Sequence, residues 1–356
     1  MRQFTTILIT GGAGFIGSNF IRYLFEKTDF KGNIVNLDAL TYAGNPASLA
    51  DIQARFGATR YFFEKADICD AGSIEKVFQH YDPDAVVHFA AESHVDRSIL
   101  GPGTFINTNI LGTFNLLETC RKMWEGRSDV LFHHISTDEV YGSLGESGYF
   151  SETTAYDPRS PYSASKASSD HLVRAYHHTY SLPITLSNCS NNYGPYQFPE
   201  KMIPVMILNM LEDKPLPVYG DGKNIRDWLY VEDHNSAVWQ IMCKGIVGSS
   251  YNIGGENEWE NIHLVNKLCE LTALQTGKDP DRYKKLIHYV KDRPGHDQRY
   301  AIDCRKIKEE LGWQQAFSFD EGLMHTVKWY LSNGSWIEGI KSGEYRRWME
   351  QNYQGR

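Results

Sequence analysis

The chain has 356 residues, with 36 lysines and arginines against 44 aspartates and glutamates and a formal net charge of −8. This length suits two lobes rather than one simple core, and the acidic balance argues against a nucleic acid or an anionic membrane as partner. The six cysteines are scattered with no Cys-x-x-Cys spacing, and no apolar run approaches membrane-spanning length, so we expect a cytoplasmic protein without a metal site or a disulfide framework.

A glycine loop follows the first predicted strand, Thr6–Thr10. Gly11, Gly14 and Gly17 are spaced by three, and the residues from Ser18 to Lys27 have helical periodicity. Glycines at this spacing let the backbone turn tightly, approach a pyrophosphate and pack the helix against the strand, with the phosphates at the helix N-terminus. With a strand before it and a helix after it, the loop predicts a dinucleotide site.

The next predicted strands end in residues that suit the same cofactor. Asp38 ends the strand from Asn33, where a carboxylate accepts hydrogen bonds from both ribose hydroxyls and repels a 2′-phosphate, so NAD is favoured over NADP. A third strand, predicted over 61–68, brings Asp67 to its end, where an acceptor could meet the adenine amino group. A fourth, predicted over 85–91, ends in small residues that leave room for a dinucleotide.

Two further polar groups follow that fourth strand. Ser93 and His94 are in a polar loop at its end and could contact either cofactor or substrate, although His94 could equally be a structural histidine. The residues from Thr104 to Lys122 predict a helix whose apolar residues (Ile106, Ile110, Phe114 and Leu117) face the sheet, with Thr108 and Asn109 able to point toward the cofactor.

The chemistry is expected after the fifth predicted strand, at 130–135. Thr137, Asp138 and Glu139 follow it directly, and ligands of open α/β sheets bind beyond the carboxyl ends of the strands. Two adjacent carboxylates push their pKa values apart, which favours one acid and one base. Tyr162 and Lys166 are four residues apart and share a helix face, where Lys166 would favour the phenolate of Tyr162.

The regular alternation of predicted strands and helices continues to about residue 195 and then ends. A further strand is predicted at 183–188, then a Pro-rich stretch, a strand at 224–231, a helix at 231–244 and a strand at 250–253. We therefore predict a Rossmann-type, doubly wound parallel α/β sheet with a smaller, partly discontinuous C-terminal substrate lobe. Residues 1–194 and 228–253 would form the NAD-binding domain, and residues 195–227 and 254–356 the other lobe.

Three basic residues stand out in the second half of this acidic chain. Lys201, Arg226 and Arg293 are far apart in sequence. If they converge they form a clamp for a diphosphate, because a guanidinium pairs with phosphate oxygens through two hydrogen bonds. The alternative is that each is an ordinary surface base.

These motifs resemble a known group of enzymes. The glycine loop, Asp38 and the Tyr162/Lys166 pair resemble the extended short-chain dehydrogenase/reductase superfamily, which acts mostly on nucleotide sugars. Thr137-Asp138-Glu139 is similar to the signature of its sugar-nucleotide 4,6-dehydratases. The segments 38–45, 90–98, 226–228 and 292–297 resemble the branch that acts on dTDP-glucose, and the likeness covers nearly the whole chain.

The resemblance implies a set of ligand-binding residues. The expected NAD-binding residues are Gly11, Gly14, Phe15, Ile16, Gly17, Asp38, Leu40, Thr41, Asp67, Ile68, Ala90, Ala91, Ser93, Thr108, Tyr162, Lys166 and Asn192. The expected nucleotide-sugar contacts are Ser93, His94, Thr137, Asn191, Lys201, Met202, Leu216, Pro217, Tyr219, Arg226, Asn261, Arg293 and His296, with the 216–219 segment around the thymine. It also implies a homodimer in which the helices after Thr104 and Pro161 pair with their copies.

The residues suggest a redox-neutral dehydration as the activity. Tyr162 would take the proton of the sugar 4-hydroxyl, Thr137 would hydrogen-bond the 4-oxygen, Glu139 would remove the C5 proton and Asp138 would protonate the departing 6-hydroxyl. Three alternatives stay open: a nucleotide-sugar 4-epimerase, a 4,6-dehydratase for another nucleotide, and a non-catalytic NAD-binding sensor.

Overall fold

Strands and helices alternate along most of the chain, and the computed structural model describes residues 1–57 and 59–341. The strands are β1 (Thr6–Thr10), β2 (Asn33–Asp38), β3 (Tyr61–Lys65), β4 (Ala85–His88), β5 (Leu131–Thr137), β6 (Ile184–Cys189), β7 (Asn191–Tyr193), β8 (Leu216–Tyr219), β9 (Ile225–Tyr230), β10 (Ser250–Ile253), β11 (Glu258–Glu260) and β12 (Ile287–Val290). The α-helices are α1 (Phe15–Glu26), α2 (Ala50–Phe56), α3 (Ala71–Tyr81), α4 (Val95–Leu100), α5 (Pro102–Phe105), α6 (Thr113–Met123), α7 (Pro161–Tyr180), α8 (Met202–Leu211), α9 (Val231–Lys244), α10 (Asn261–Thr276), α11 (Pro280–Lys284), α12 (Arg305–Leu311), α13 (Phe319–Ser332) and α14 (Gly334–Ile340). Short 3₁₀ turns cover Pro46–Leu49 and Asp138–Tyr141, and a π-helix covers Ile106–Gly112.

The main sheet has seven strands in the order β10-β6-β5-β4-β1-β2-β3, and every pair in it is parallel. The strand order reverses between β1 and β4, so a crevice opens at the carboxyl ends of these strands. Smaller sheets, β11-β9-β7 and β12-β8, lie in the second half of the chain. The predicted Rossmann-type sheet is confirmed.

Both faces of the main sheet are buried, as expected of parallel strands covered by helices. Along β1, Ile7 and Ile9 pack into one apolar cluster while Leu8 packs into another on the opposite face. A further cluster joins α8, α10 and α13. Residues from Tyr300 to Trp313 pack with the main sheet, although they come late in the chain. The predicted division into two domains stays a prediction, and residues 342–356 lie outside the described part.

Two predicted strands are shorter than expected. β3 ends at Lys65 rather than at residue 68, because the Asp67 side chain accepts a hydrogen bond from the Cys69 backbone N–H at 2.9 Å and turns the chain. β4 ends at His88, and Phe89–Ala91 continue as an irregular segment. The other predicted strands of the main sheet agree with the structure to within two residues at either end, and the first helix starts earlier than predicted, at Phe15.

The predicted helix over 104–122 differs most from the structure. It is interrupted by the π-helix, whose wider turn changes which residues face inward. Of the four residues expected to face the sheet, Leu117 is fully buried, whereas Ile106 is 51% and Phe114 is 41% exposed. Within the described residues, no helix is both long enough and apolar enough to cross a membrane.

Candidate active site

A cavity of about 450 Å³ opens at the carboxyl ends of the main strands. On one side it is lined by residues at the ends of β2, β5 and β6 and just after β1 and β4, and on the other by α8, β8, β9 and the start of α10. The predicted residues that line it are Gly11, Gly14, Phe15, Ile16, Gly17, Asp38, Thr41, Asp67, Ile68, Ala90, Ala91, Ser93, His94, Thr108, Thr137, Glu139, Tyr162, Lys166, Asn191, Asn192, Lys201, Met202, Pro217, Tyr219, Arg226, Asn261, Arg293 and His296.

Three predicted residues do not line the cavity. Leu216, at the start of β8, is fully buried in the apolar cluster of α8 and α10, whereas the three residues after it line the cavity. Leu40 has a left-handed backbone (φ +54°), and its N–H donates to Asp38 Oδ1 at 2.8 Å. Asp138 is only 2% exposed.

The glycine loop is closely packed around the sheet edge. Gly11 has φ +72°, and a Cβ there would lie 2.6 Å from the Ala90 backbone nitrogen. A Cβ on Gly17 would lie 2.4 Å from the Gly11 oxygen. Gly14 precedes α1 and has no side chain to cap it, so the first N–H groups of this helix point to the loop. Such a cradle of backbone donors fits the pyrophosphate of a dinucleotide.

Asp38 is fixed beside this cradle. Its Oδ2 accepts from the Ala13 N–H at 2.9 Å and its Oδ1 from the Leu40 N–H. The carboxyl group is largely buried, and burial raises its pKa although both backbone hydrogen bonds lower it. A rigid acceptor at the end of β2 fits the ribose of NAD.

Tyr162 and Lys166 are on the first turns of α7, which starts with a capping box at Ser160 and a proline at its first position. The Lys166 ammonium donates to the Ile135 carbonyl at 2.8 Å, and both side chains are buried. Burial and the nearby Glu139 carboxylate raise the pKa of Tyr162 well above its usual value. The expectation that Lys166 makes Tyr162 a base near neutral pH stays a prediction.

The two adjacent carboxylates have different surroundings. Asp138 accepts from the Thr137 hydroxyl at 3.3 Å, while its Oδ2 is buried with no hydrogen-bond partner within the described residues. Burial, then Glu139 and Asp227, raise the pKa of Asp138 well above its usual value.

Glu139 lines the cavity and faces cations. Burial raises the pKa of Glu139, but Arg293, Lys201 and Arg226 oppose that shift by favouring its ionised form. Asp138 therefore keeps a proton more readily than Glu139 does, so the pair can supply an acid and a base at the same pH.

The three predicted clamp cations line the same cavity. Lys201 donates to the Ser93 carbonyl at 3.0 Å. Arg226 donates to the Asp297 carbonyl at 2.9 Å. The amide oxygens of Asn191, Asn192 and Asn261 are buried and have no hydrogen-bond partner within the described residues, as expected of groups that a polar ligand would satisfy. These residues' contacts with a ligand stay predictions.

Sequence reasoning missed several residues of the site. Asp96 holds two predicted substrate contacts: it pairs with Arg293 at 3.6 Å and accepts from the Tyr219 hydroxyl at 3.0 Å. The Tyr300 ring lies under the Arg226 guanidinium, 4.3 Å from its carbon to the ring centroid. Asp96 belongs to the polar sequence after β4, which is a weak indication of a functional role. No local sequence pattern indicates that Tyr300 is part of the site.

Two further observations concern ligands. Burial, then Lys201, Arg97 and Arg293, lower the pKa of His94 well below its usual value, so its imidazole is neutral at neutral pH. Within residues 1–57 and 59–341, no group of three or more histidines, cysteines, aspartates or glutamates is arranged to hold a metal ion.

Comparison with known proteins places the chain among nucleotide-sugar enzymes. Residues 8–326 match the family model for GDP-mannose 4,6 dehydratase. The chain is 55% identical to dTDP-glucose 4,6-dehydratase of Salmonella typhimurium, over 98% of this chain and 99% of that protein.

Two solved structures are similar over almost their full length. One is dTDP-glucose 4,6-dehydratase from Bacillus anthracis in complex with NAD, with a TM-score of 0.84 and 45% identity, covering 95% of this chain and 100% of that one. The other is DesIV, a dTDP-glucose 4,6-dehydratase from Streptomyces venezuelae with NAD and TYD bound, with a TM-score of 0.87 and 44% identity at the same coverage. This chain therefore belongs to the GDP-mannose 4,6 dehydratase family and, within it, to the dTDP-glucose 4,6-dehydratases.

Proposed function

We propose that this protein converts dTDP-glucose into dTDP-4-dehydro-6-deoxy-glucose and water, with NAD retained through each turnover. The observation that carries this proposal is the pair of adjacent carboxylates beside Tyr162. Burial and negative neighbours raise the pKa of Asp138, while three cations favour the ionised form of Glu139. Hydride transfer from the 4-hydroxyl needs one base, Tyr162, whereas elimination of water needs an acid and a second base in the same site.

The first step is oxidation at C4 of the glucose. Bound NAD⁺ supplies the hydride acceptor for C4 and the hydride donor for C6, and its nicotinamide ring adds a positive charge to the site. Tyr162 takes the proton of the 4-hydroxyl, and that positive charge, with Lys166, opposes the burial that raises the Tyr162 pKa. The Thr137 hydroxyl hydrogen-bonds the 4-oxygen.

The second step is elimination across C5 and C6. The new 4-ketone acidifies the C5 proton, which Glu139 removes, and Asp138 gives its proton to the departing 6-hydroxyl. After hydride reaches C6, Glu139 returns its proton to C5. The product carries a 4-ketone and a 6-methyl group.

Counting protons gives Thr137 a second role. One cycle leaves Tyr162 with an added proton and Asp138 without its own, so a proton must pass from Tyr162 to Asp138 before the next turnover. The Thr137 hydroxyl donates to Asp138 at 3.3 Å, and Thr137 lines the cavity together with Tyr162. A hydroxyl can accept one proton while it donates another, so Thr137 links the two groups.

The nucleotide is held by charge and by shape. Lys201, Arg226 and Arg293 neutralise the diphosphate, since charge-assisted hydrogen bonds to phosphate are strong. Pro217 and Tyr219 line the cavity where the thymine would lie. A 4-epimerase would keep Tyr162 and Lys166 but needs no proton donor beside Glu139, so the buried Asp138 argues against that alternative.

The experiment that tests this function is incubation of the protein with dTDP-glucose, followed by the mass of the sugar product. We expect a product lighter by one water, formed without net change in NAD. A sugar nucleotide of unchanged mass would favour the epimerase, and no conversion despite bound NAD would favour the sensor. Parallel assays with UDP-, GDP- and CDP-glucose test the choice of nucleotide.

A homodimer is part of the proposal. The π-helix and α6 expose Ile106, Leu111 and Phe114, which are each 41–51% exposed. Exposed apolar residues on one helix face are typical of a contact surface. Pairing of this face and α7 with their copies would cover them, and sedimentation of wild-type and Phe114→Lys protein tests it. The cytoplasmic location also stays a prediction.

A further inference from the structure

Four side chains beside the cofactor half of the cavity have no part in the chemistry above. Tyr42 is on the loop that follows β2, Arg97 is on α4, and Phe198 and Glu200 precede α8. We call these four residues the clasp. They come from three separate segments of the chain, and each segment also contributes residues that line the cavity.

The contacts within the clasp are close. The Arg97 guanidinium carbon lies 3.8 Å from the centroid of the Tyr42 ring, and Arg97 Nε donates to Glu200 Oε2 at 3.1 Å. Phe198 meets Tyr42 edge to face, with ring centroids 5.7 Å apart. The Glu200 side chain is 2% exposed, and burial, then the carboxylates of Glu200 and Glu92, raise the pKa of Tyr42 well above its usual value. A cation between an aromatic face and a buried carboxylate is held more firmly than an exposed ion pair.

The clasp connects the loop after Asp38 to the segment just before Lys201. Thr41 and Ala43 line the cavity on either side of Tyr42, which does not line it itself. Glu200 immediately precedes Lys201, one of the three clamp cations. Opening the clasp would therefore free the loop after Asp38 from the segment that carries Lys201.

The proposed reaction requires the cofactor to stay bound, and this connection is placed to hold it. The cofactor is reduced and reoxidised within one turnover, so its loss between the two hydride transfers would leave an oxidised sugar that cannot be completed. We propose that the clasp retains NAD by tying the loop after Asp38 to the segment before Lys201. This inference rests on the proposed function and assigns positioning roles to Tyr42, Arg97 and Glu200.

The test is the rate at which bound NAD exchanges with isotopically labelled NAD, measured by mass spectrometry without any sugar present. We expect Tyr42→Ala and Arg97→Met to exchange NAD about tenfold faster than the wild-type protein, or faster still, because the partly buried cation–π contact between Arg97 and Tyr42 is lost. Tyr42→Phe keeps the ring under Arg97 and removes only the hydroxyl near Glu200, so its exchange should be intermediate.

A matched control tests whether faster NAD exchange is specific to the clasp or follows the removal of any aromatic ring that packs on an arginine. Tyr149 is 63% exposed, lies under Arg299 at 5.7 Å and does not line the cavity, so Tyr149→Ala should exchange NAD at the wild-type rate. With saturating NAD, Tyr42→Ala and Arg97→Met should regain a near wild-type kcat, which a misfolded variant would not.

Two results would overturn the clasp: wild-type exchange in both Tyr42→Ala and Arg97→Met, or activity that saturating NAD fails to restore. Failure of the proposed function would look different. In that case the wild-type protein itself would bind no NAD, or would hold NAD and leave dTDP-glucose unchanged.

Discussion

The half of the cavity that we propose binds the cofactor is formed by backbone groups and short segments, whereas the half that we propose binds the substrate is lined by charged side chains of distant segments. Gly11 and Gly17 act through the space that their missing side chains leave. Lys201, Arg226 and Arg293 contribute positive charge to the cavity, and only the fold brings these distant residues to it. The two halves should therefore respond to different perturbations: cofactor binding to steric change, and substrate binding to loss of charge and to salt.

The largest effect is expected where the two halves meet, at Tyr162. Tyr162→Phe keeps the ring in its buried position and removes the group that accepts the 4-hydroxyl proton. We expect kcat to fall by about 10²–10⁴-fold, the usual contribution of a positioned base. Bound NAD should show no reduction when dTDP-glucose is added. Absorbance of NADH at the wild-type rate would contradict the role of Tyr162.

Removal of a clamp cation tests the substrate half. Arg226→Ala should raise the KM for dTDP-glucose by about tenfold to a hundredfold, because a charge-assisted hydrogen bond contributes roughly 1.5–3 kcal/mol. NAD exchange should stay unchanged. Arg305→Ala is the control, since Arg305 is 79% exposed and pairs with Asp303 away from the cavity. Equal KM values for the two variants would place Arg226 outside the substrate site.

Adding a methyl group at Gly11 tests whether NAD binding depends on the space in the glycine loop. Gly11→Ala forces a Cβ to within 2.6 Å of the Ala90 nitrogen at a φ of +72°, which costs about 1–3 kcal/mol of strain. We expect weaker NAD binding in a calorimetric titration, with no change in the salt dependence of the KM for dTDP-glucose. Gly339→Ala, where nothing lies within 4 Å, should bind NAD as the wild-type protein does. Unchanged NAD affinity in Gly11→Ala would contradict the steric account.

The contrast between the two halves of the cavity also explains which parts of the site can be predicted from the sequence. The glycine loop, Asp38 and the strands around them are encoded by neighbouring residues, so local patterns predict them. Whether Lys201, Arg226 and Arg293 meet depends on the packing of α8, β9 and the segment after β12, which no local pattern specifies. For the same reason the contacts of Tyr300 with Arg226 could not be predicted.

The exposed residues near the π-helix show a second limit of prediction from the sequence. An ideal helical period from Thr104 onward turns Ile106 and Phe114 toward the sheet, but the π-helix changes the register and leaves them exposed. A period of 3.6 residues carries no signal for such an interruption. The polar Asn109, which is 1% exposed and donates to Ser165 at 2.8 Å, occupies the buried face instead.

The smallest effect expected is a shift in pH dependence. The acid Asp138 must be protonated, so kcat should fall as pH rises through its raised pKa. Asp227 is one of the carboxylates that raise that pKa. Asp227→Asn removes this negative charge, so the pKa of Asp138 should fall and the alkaline limb of the kcat profile should move to lower pH. A shift to higher pH would contradict the assignment, and thermal unfolding would check that the variant is folded.

The division of labour between Asp138 and Glu139 is tested most directly by Asp138→Asn and Glu139→Gln in heavy water. Each variant should still oxidise C4, so NADH absorbance should appear within one turnover and persist. With Asp138→Asn, Glu139 still removes the C5 proton, and deuterium should enter C5 of the trapped keto sugar; with Glu139→Gln it should not. Wild-type turnover by Asp138→Asn, or deuterium at C5 in Glu139→Gln alone, would contradict the account.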